Sequence, residues 1–253
     1  MRISKKIGLA LGSGGAKGFA HLGALRAFEE ENIEFDLVAG TSIGSIVGGL
    51  YAKGFSSRDM LALLEENTID PQNMLLVTIG VITLPEIISK FTGGATFNDL
   101  KKPFSAIAVD MQKGEEVVIN SGDLALAMAC SSAIPPFRPV LYKGKMLVDG
   151  AYLNYVPADV VKNMGADIVI SINLGKGKDT NQGIKRTLDE LYPNNKISLT
   201  NRSRQCYEYS DIIIEPDLSS YSSASVNKMD EIYDIGYRAV KEKMSEILCI
   251  LRK

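Results

Sequence analysis

Gly40-Thr41-Ser42-Ile43-Gly44 centres a serine between two glycines, after the apolar run Leu37-Val38-Ala39 and ahead of a helix-like run from Ile43 to Tyr51. A serine flanked in this way at a strand-to-helix junction has the layout of a nucleophile elbow. The turn is so sharp that side chains at both flanking positions would strike neighbouring backbone. Glycine removes the collision and tolerates unusual backbone angles. The serine oxygen would then stand above the end of a sheet, close to the positive end of the following helix. Random order at this composition yields about 0.2 such pentapeptides per chain, so the pattern is weak without its surroundings. The surroundings fit: Ile43, Ile46, Val47, Leu50 and Tyr51 fall on one helical face. Gly44, Gly48 and Gly49 weaken an isolated helix and suit one packed close to another backbone. The plainer reading is a serine that merely caps a helix.

Two further segments supply what such a serine lacks. Gly12-Ser13-Gly14-Gly15-Ala16-Lys17-Gly18 follows the apolar run Ile7 to Leu11. Small residues let backbone N–H groups point at a ligand, and the next helix start adds positive potential. The loop suits a phosphate or an oxyanion. No Gly-Lys-Ser/Thr closes it as in a P-loop, and Lys17 stands where the dinucleotide fingerprint needs a glycine. A nearby nucleophile decides for the oxyanion, and Ser42 supplies one.

The other segment is Met146-Leu147-Val148-Asp149-Gly150-Ala151, an apolar strand ending in a carboxylate. A serine nucleophile needs a proton acceptor within hydrogen-bond reach. Histidine is the usual one, but this chain has one histidine, His21. It lies inside the helix expected after the glycine loop and reads as a packed residue. The base is therefore a carboxylate, with Asp149 the first candidate and Asp110, at another strand end, the second. The plainer role for Asp149 is a turn or cap ahead of a helix at Val156. A free aspartate titrates near about 3.9, so a serine–aspartate pair must lean on stabilisation of the tetrahedral intermediate. Each oxyanion donor contributes about 2.7–4 kcal/mol, which gives a long glycine loop a reason to accompany a site without histidine.

The elements that must position these groups alternate. Strands are expected at Ile7–Leu11, Asp36–Ala39, Lys145–Val148, Asp167–Asn173 and Asp211–Glu215, with a β-hairpin of Phe104–Asp110 and Glu115–Asn120 around Lys113-Gly114. Helices are expected at Gly18–Glu31, Ile43–Lys53, from Ser56 or Ser57 to Glu66, Asp123–Ser131, Val156–Met164 with Pro157 in its first turn, in part of 183–209, and at Lys228–Leu251. Residues 67–100 read as irregular to helical. The fold class is α/β: a three-layer α/β/α sandwich with a mainly parallel central sheet. In such a sheet, chemistry collects beyond the carboxyl ends of the strands. The glycine loop, Ser42 and Asp149 all fall at such ends.

The chain has 253 residues, 45% hydrophobic and 23% charged, with a formal net charge of −2. That balance suits one globular domain spanning 1–253 and gives no electrostatic footprint for nucleic acid. Cys130, Cys206 and Cys249 are too dispersed for a metal site or a disulfide framework, so a cytoplasmic setting is expected. Glycines interrupt the apolar run after Lys5 and Lys6, so no signal peptide is expected. Met74 to Ile88 is the most apolar long stretch, yet it is too short to span a bilayer. It is expected to be core or a lid within 67–100, with an acyl-site wall or a peripheral membrane contact as the alternative.

Together the three motifs resemble the bacterial patatin-like phospholipase family. The likeness runs in order through Gly-Ser-Gly-Gly-Ala-Lys-Gly, Gly-Thr-Ser-Ile-Gly and Asp-Gly-Ala. It includes Ala129-Cys130-Ser131-Ser132-Ala133-Ile134-Pro135 and Asn154-Tyr155-Val156-Pro157, and covers roughly residues 5–175. It departs at Ser13, where the family often has glycine, and at Ala151, where Asp-Gly-Gly is common. The resemblance implies Ser42 as nucleophile and Asp149 as its partner. It implies an oxyanion hole from the amides of Gly14, Gly15, Ala16 and Ile43, supported by Gly12, Lys17, Gly18, Gly40, Gly44 and Gly150. Lys17 takes a basic position of the family, either adding to the local field or standing in solvent. The implied activity is lipid acyl hydrolysis without metal or organic cofactor, on a lipid or acyl-ester substrate. The alternatives are an acyltransferase using the same serine and a non-catalytic phosphate- or nucleotide-binding regulator.

Overall fold

A computed structural model describes residues 5–66, 83–175, 181–199 and 205–252. Four apolar runs set the centre of the molecule: β1 (Ile7–Leu11), β2 (Leu37–Thr41), β3 (Phe104–Asp110) and β7 (Ile168–Ile172). Their residues are buried almost without exception, as expected of strands covered on both faces. β2 runs parallel to β1 and β3, β7 runs parallel to β1, and β8 (Ile212–Ile214) runs parallel to β7. The described sheet has eight strands. β4 (Glu115–Ile119) forms the expected antiparallel hairpin with β3.

The two-residue period of the strands sorts their side chains into two layers. Leu9, Leu11, Val38, Phe104, Ile170 and Ile172 face one side. That side is covered by α1 (Phe19–Glu30), α2 (Ile43–Lys53), α3 (Ser57–Glu66), α4 (Leu84–Thr92), α5 (Leu124–Ser132) and α9 (Met229–Leu251). Ala10, Leu37, Ala39, Ile107 and Val169 face the other side, against α6 (Ala158–Asn163) and Cys206 of α8 (Gln205–Tyr209). Leu188 of α7 (Asn181–Leu191) packs with Val109 and Val148 on that same side. The three-layer α/β/α arrangement follows.

Three details differ from expectation. A strand pair, β5 (Val140–Tyr142) and β6 (Lys145–Asp149), replaces the single strand expected, and β6 runs antiparallel to β3. The helix after the glycine loop is preceded by a 3-10 turn at Gly15–Gly18. α6 starts at Ala158 with Pro157 as its cap. Of the apolar stretch 74–88, residues up to 82 lie outside the described residues. Ile87 and Ile88 sit in α4 and are buried in the core.

β6 positions the site. β4 bonds to β3 along residues 106–110, occupying one edge of it. β2 pairs with β3 only as far as Thr41 opposite Ile107, and β6 pairs only from Asp149 opposite Ala108 onward. Both must therefore share the other edge of β3, meeting end to end at their carboxyl termini.

Candidate active site

The elbow forms where β2 ends and α2 begins. Ser42 has φ 56° and ψ −126°, a positive φ that an L-residue adopts only under constraint. Its two glycine neighbours are there for close approach. A Cβ at Gly40 would lie 2.1 Å from the Gly44 carbonyl oxygen, and one at Gly44 would lie 2.2 Å from the Leu11 carbonyl oxygen. The helix after the serine is thus pressed against both its own strand and the end of β1. Farther along α2, Gly48 and Gly49 adjoin the side chains of Phe104, Val38 and Met128, so side chains and not backbone occupy that space.

Ser42 Oγ donates to Asp149 Oδ2 at 2.6 Å. The second carboxylate oxygen accepts the Ala151 N–H at 2.8 Å. Asp149 is fully buried, with Leu147 two residues before it on the α2 face of β6. Burial dominates its titration and pushes the carboxyl up to about 7, against the lowering effect of the bonds from Ser42 and Ala151. The phenols of the buried Tyr152 and the half-buried Tyr155 are raised by desolvation first and by the Asp149 charge second.

The glycine loop is tied on both sides of its centre. The Gly12 N–H donates to the Ile172 carbonyl at 3.0 Å, the Ser13 N–H to the Tyr155 carbonyl at 3.0 Å, and the Ala16 N–H to the Ser223 carbonyl at 2.8 Å. The amides of Gly14 and Gly15, between these ties, have no acceptor among the described residues. Ile43 is the first residue of α2, where an N–H lacks an intrahelical acceptor. Ala16 was expected to join these donors, but its bond to Ser223 engages its N–H. Lys17 is buried, which removes the solvated reading of its side chain. Gly18 abuts Ile43 closely enough that a Cβ would lie 2.1 Å from Cγ1 of that residue. The loop and the elbow are therefore in direct contact.

The remaining candidates have other tasks. Asp110 Oδ1 accepts the Gln112 and Lys113 N–H groups in the turn of the β3–β4 hairpin, a local capping role. His21 is fully buried, and its Nε2 lies 2.8 Å from the Gly12 carbonyl oxygen. Because that partner only accepts, Nε2 carries the proton. Desolvation lowers the ring to about 4, so it stays neutral there. His21 braces the first residue of the glycine loop.

Several site contacts come from residues to which the sequence reading attached no role. Thr41 Oγ1 donates to the Asn154 carbonyl, which ties the elbow strand to the segment after Asp149. Ser45 Oγ donates to the Ser42 carbonyl at 2.7 Å, and the Ser42 N–H donates to Ser131 Oγ at 2.9 Å. Ser131 and Asn154 both fall in the two accessory motifs, Ala129–Pro135 and Asn154–Pro157. Those motifs were the available signal, yet nothing in them states what they touch.

A family model described as Patatin-like phospholipase matches residues 9–76 and 78–162. The patatin-like phospholipase domain-containing protein ZK370.4 of Caenorhabditis elegans is 37% identical over 191 residues, covering 69% of this chain and 14% of that protein. Human patatin-like phospholipase domain-containing protein 6 is 28% identical over 273 residues, covering 92% of this chain and 20% of that protein. The chain thus corresponds to a small part of each relative's length. Both relatives are eukaryotic, so the bacterial qualifier of the resemblance goes beyond these matches. Among solved structures, VipD from Legionella pneumophila superposes with a TM-score of 0.61 at 16% identity, covering 96% of this chain and 67% of that one, a likeness of fold.

Proposed function

This chain belongs to the patatin-like phospholipase family, and we propose that it hydrolyses acyl esters of phospholipids or lysophospholipids through an acyl-enzyme on Ser42. The observation that carries the reading is the 2.6 Å bond from Ser42 Oγ to a fully buried Asp149 carboxylate, on a strained elbow. Ser42 Oγ attacks the ester carbonyl carbon while its proton passes to Asp149 Oδ2. The oxyanion accepts from the amides of Gly14, Gly15 and Ile43. Collapse expels the alcohol, which takes the proton back from Asp149. Water then attacks the acyl carbon as Asp149 takes its proton; the bond to Ser42 Oγ breaks, Oγ takes the proton back from Asp149, and the fatty acid leaves.

A carboxyl held near about 7 is a far better proton acceptor at neutral pH than an ordinary aspartate. Burial thus supplies the basicity that a histidine supplies elsewhere. His21 is engaged with Gly12, which leaves the acyltransferase reading without a histidine base. Among the described residues no helix is long and apolar enough to cross a membrane. We read the contact with lipid as peripheral and the setting as cytoplasmic.

The test is a fluorophosphonate probe on the purified protein, followed by peptide mapping, with phospholipid and lysophospholipid hydrolysis assayed alongside. The expected result is one adduct on Ser42, and no adduct or hydrolysis in Ser42→Ala. Hydrolysis undiminished in Ser42→Ala overturns the proposal. Acyl transfer to an added thiol or alcohol in preference to water would favour the acyltransferase. A thermal shift with nucleotides and no labelling would favour the regulator.

A further inference from the structure

α5 ends at Ser132, and its last turn touches the backbone of both members of the Ser42–Asp149 pair. Ser131 Oγ accepts the Ser42 N–H at 2.9 Å. Two residues later, the Ala133 carbonyl accepts the Asp149 N–H at 3.1 Å. Ser42 and Asp149 lie 107 positions apart in the chain. A strut of three consecutive residues therefore bridges them.

Ser42 needs such a hold. Its backbone angles are unfavourable for a residue with a Cβ and persist only where the surroundings enforce them. The carbonyl side is held by the hydroxyl of Ser45 at 2.7 Å and by the Ser45 N–H at 2.8 Å. The N–H side is held by Ser131 alone among the described residues. Without that acceptor, Ser42 would keep a buried donor unsatisfied, which is costly. Rotation of the peptide unit preceding Ser42 relieves that cost and swings Oγ off the Asp149 carboxylate. Ser131 is itself fully buried, in a helix whose other residues are apolar apart from the adjacent Ser132, which makes no comparable bond among the described residues. There a hydroxyl is unfavourable unless it bonds, and alanine would favour the helix more.

Building on the reading of Ser42 as nucleophile, we propose that Ser131 is a positioning residue for the reaction. It holds the elbow through the Ser42 N–H, while the Ala133 carbonyl holds Asp149, so that residues 131–133 set the distance between hydroxyl and carboxylate. Ser131 does not react and contacts no substrate. It raises the fraction of molecules in which Ser42 Oγ is aligned with its base.

The experiment compares the full chain with Ser131→Ala and Ser131→Thr. It measures the rate of fluorophosphonate labelling, kcat and KM on a soluble short-chain acyl ester, and the unfolding midpoint. Ser131→Ala should lose about tenfold in labelling rate and in kcat with KM nearly unchanged, as expected when alignment and not binding is lost. Ser131→Thr keeps a γ-oxygen and should recover most of both. A Ser131→Ala protein labelled and turning over at the wild-type rate overturns the proposal. So does an equal loss in the alanine and threonine variants that tracks a falling Tm, since that marks packing. If wild-type Ser42 itself takes no label, the nucleophile reading fails and the strut with it. If the wild type labels and Ser131→Ala is indifferent, the strut alone fails.

Discussion

Thr41 and Asp149 occupy consecutive positions along one edge of β3, Thr41 opposite Ile107 and Asp149 opposite Ala108. The strand carrying the serine stops where the strand carrying the carboxylate, arriving from the opposite direction, also stops. This end-to-end meeting leaves Ser42 and Asp149 in hydrogen-bond contact and leaves no slack for either. Gly150 allows it: a Cβ there would lie 2.2 Å from the Ile107 carbonyl oxygen and 3.0 Å from Thr41 Cγ2. Gly150→Ala should therefore force β6 off β3 and separate the pair while keeping every reacting group. The expected result is a loss of kcat of about a hundredfold or more, since a misplacement of about 1 Å carries that cost. An alanine variant with wild-type kcat would show that the register is not what aligns the pair.

Activity should rise with pH through neutrality. In the proposed reaction Asp149 acts as a carboxylate, and burial holds that carboxyl up at about 7. A profile of kcat/KM against pH should show one ascending limb with its midpoint near that value and a plateau above. A midpoint near the ordinary carboxylate range would mean that Asp149 is more solvated than this structure has it, or that another group is the base.

Stability should move the other way in the same window. The folded-state pKa of Asp149 lies above the unfolded value of about 3.9, so between them the folded chain binds more protons and stability falls as pH rises. Above about pH 7 the full cost of a buried carboxylate remains. Asp149→Asn removes that charge. It should raise Tm by roughly 5 °C or more at pH 8, with the difference from wild type shrinking toward pH 4, while turnover collapses. Thermal scans at several pH values check this. A variant less stable than wild type at every pH contradicts it.

His21 gives a separate signature. Its folded pKa of about 4 lies below the ordinary histidine value, so over the interval between them the unfolded chain binds more protons and stability rises with pH. His21→Gln places an amide N–H near the position of Nε2 and removes the titration. It should keep most of kcat and flatten that part of the stability curve. His21→Leu leaves the Gly12 carbonyl without its donor and should cost about 1–3 kcal/mol of stability, together with a drop in kcat as the loop loses its brace. Equal turnover in the glutamine and leucine variants would rule out a bracing role.

Much of this site is legible in the sequence. The boundaries of β1 and α2 were read directly from the chain, because apolar runs and helical periodicity are local properties. The collision logic of Gly40 and Gly44 held for the same reason: the elbow brings its own neighbours together. β5 is not legible in the sequence, because three residues carry too little pattern to register. The direction of β6 was not legible at all. An apolar strand reads identically whether it runs up or down its neighbour, and here the antiparallel direction is what points Asp149 at Ser42. Ala16 shows the limit for backbone donors: its amide is engaged by a carbonyl more than two hundred positions away.

The order of residues along the chain by itself determined which groups could react and what local shape each would take. A serine sits between glycines, a carboxylate closes an apolar strand, a loop is made of residues too small to hide their amides, and the one histidine lies inside a helix. These follow from side-chain size, charge and short-range periodicity. Only the tertiary structure decided which of those groups meet, which amides stay open and how basic the carboxylate becomes. Each of these depends on contacts between distant segments: the shared edge of β3, the tie from Ser223, the strut at 131–133 and the burial of Asp149. Desolvation and hydrogen-bond competition are properties of the packed surroundings, and no stretch of chain carries them alone.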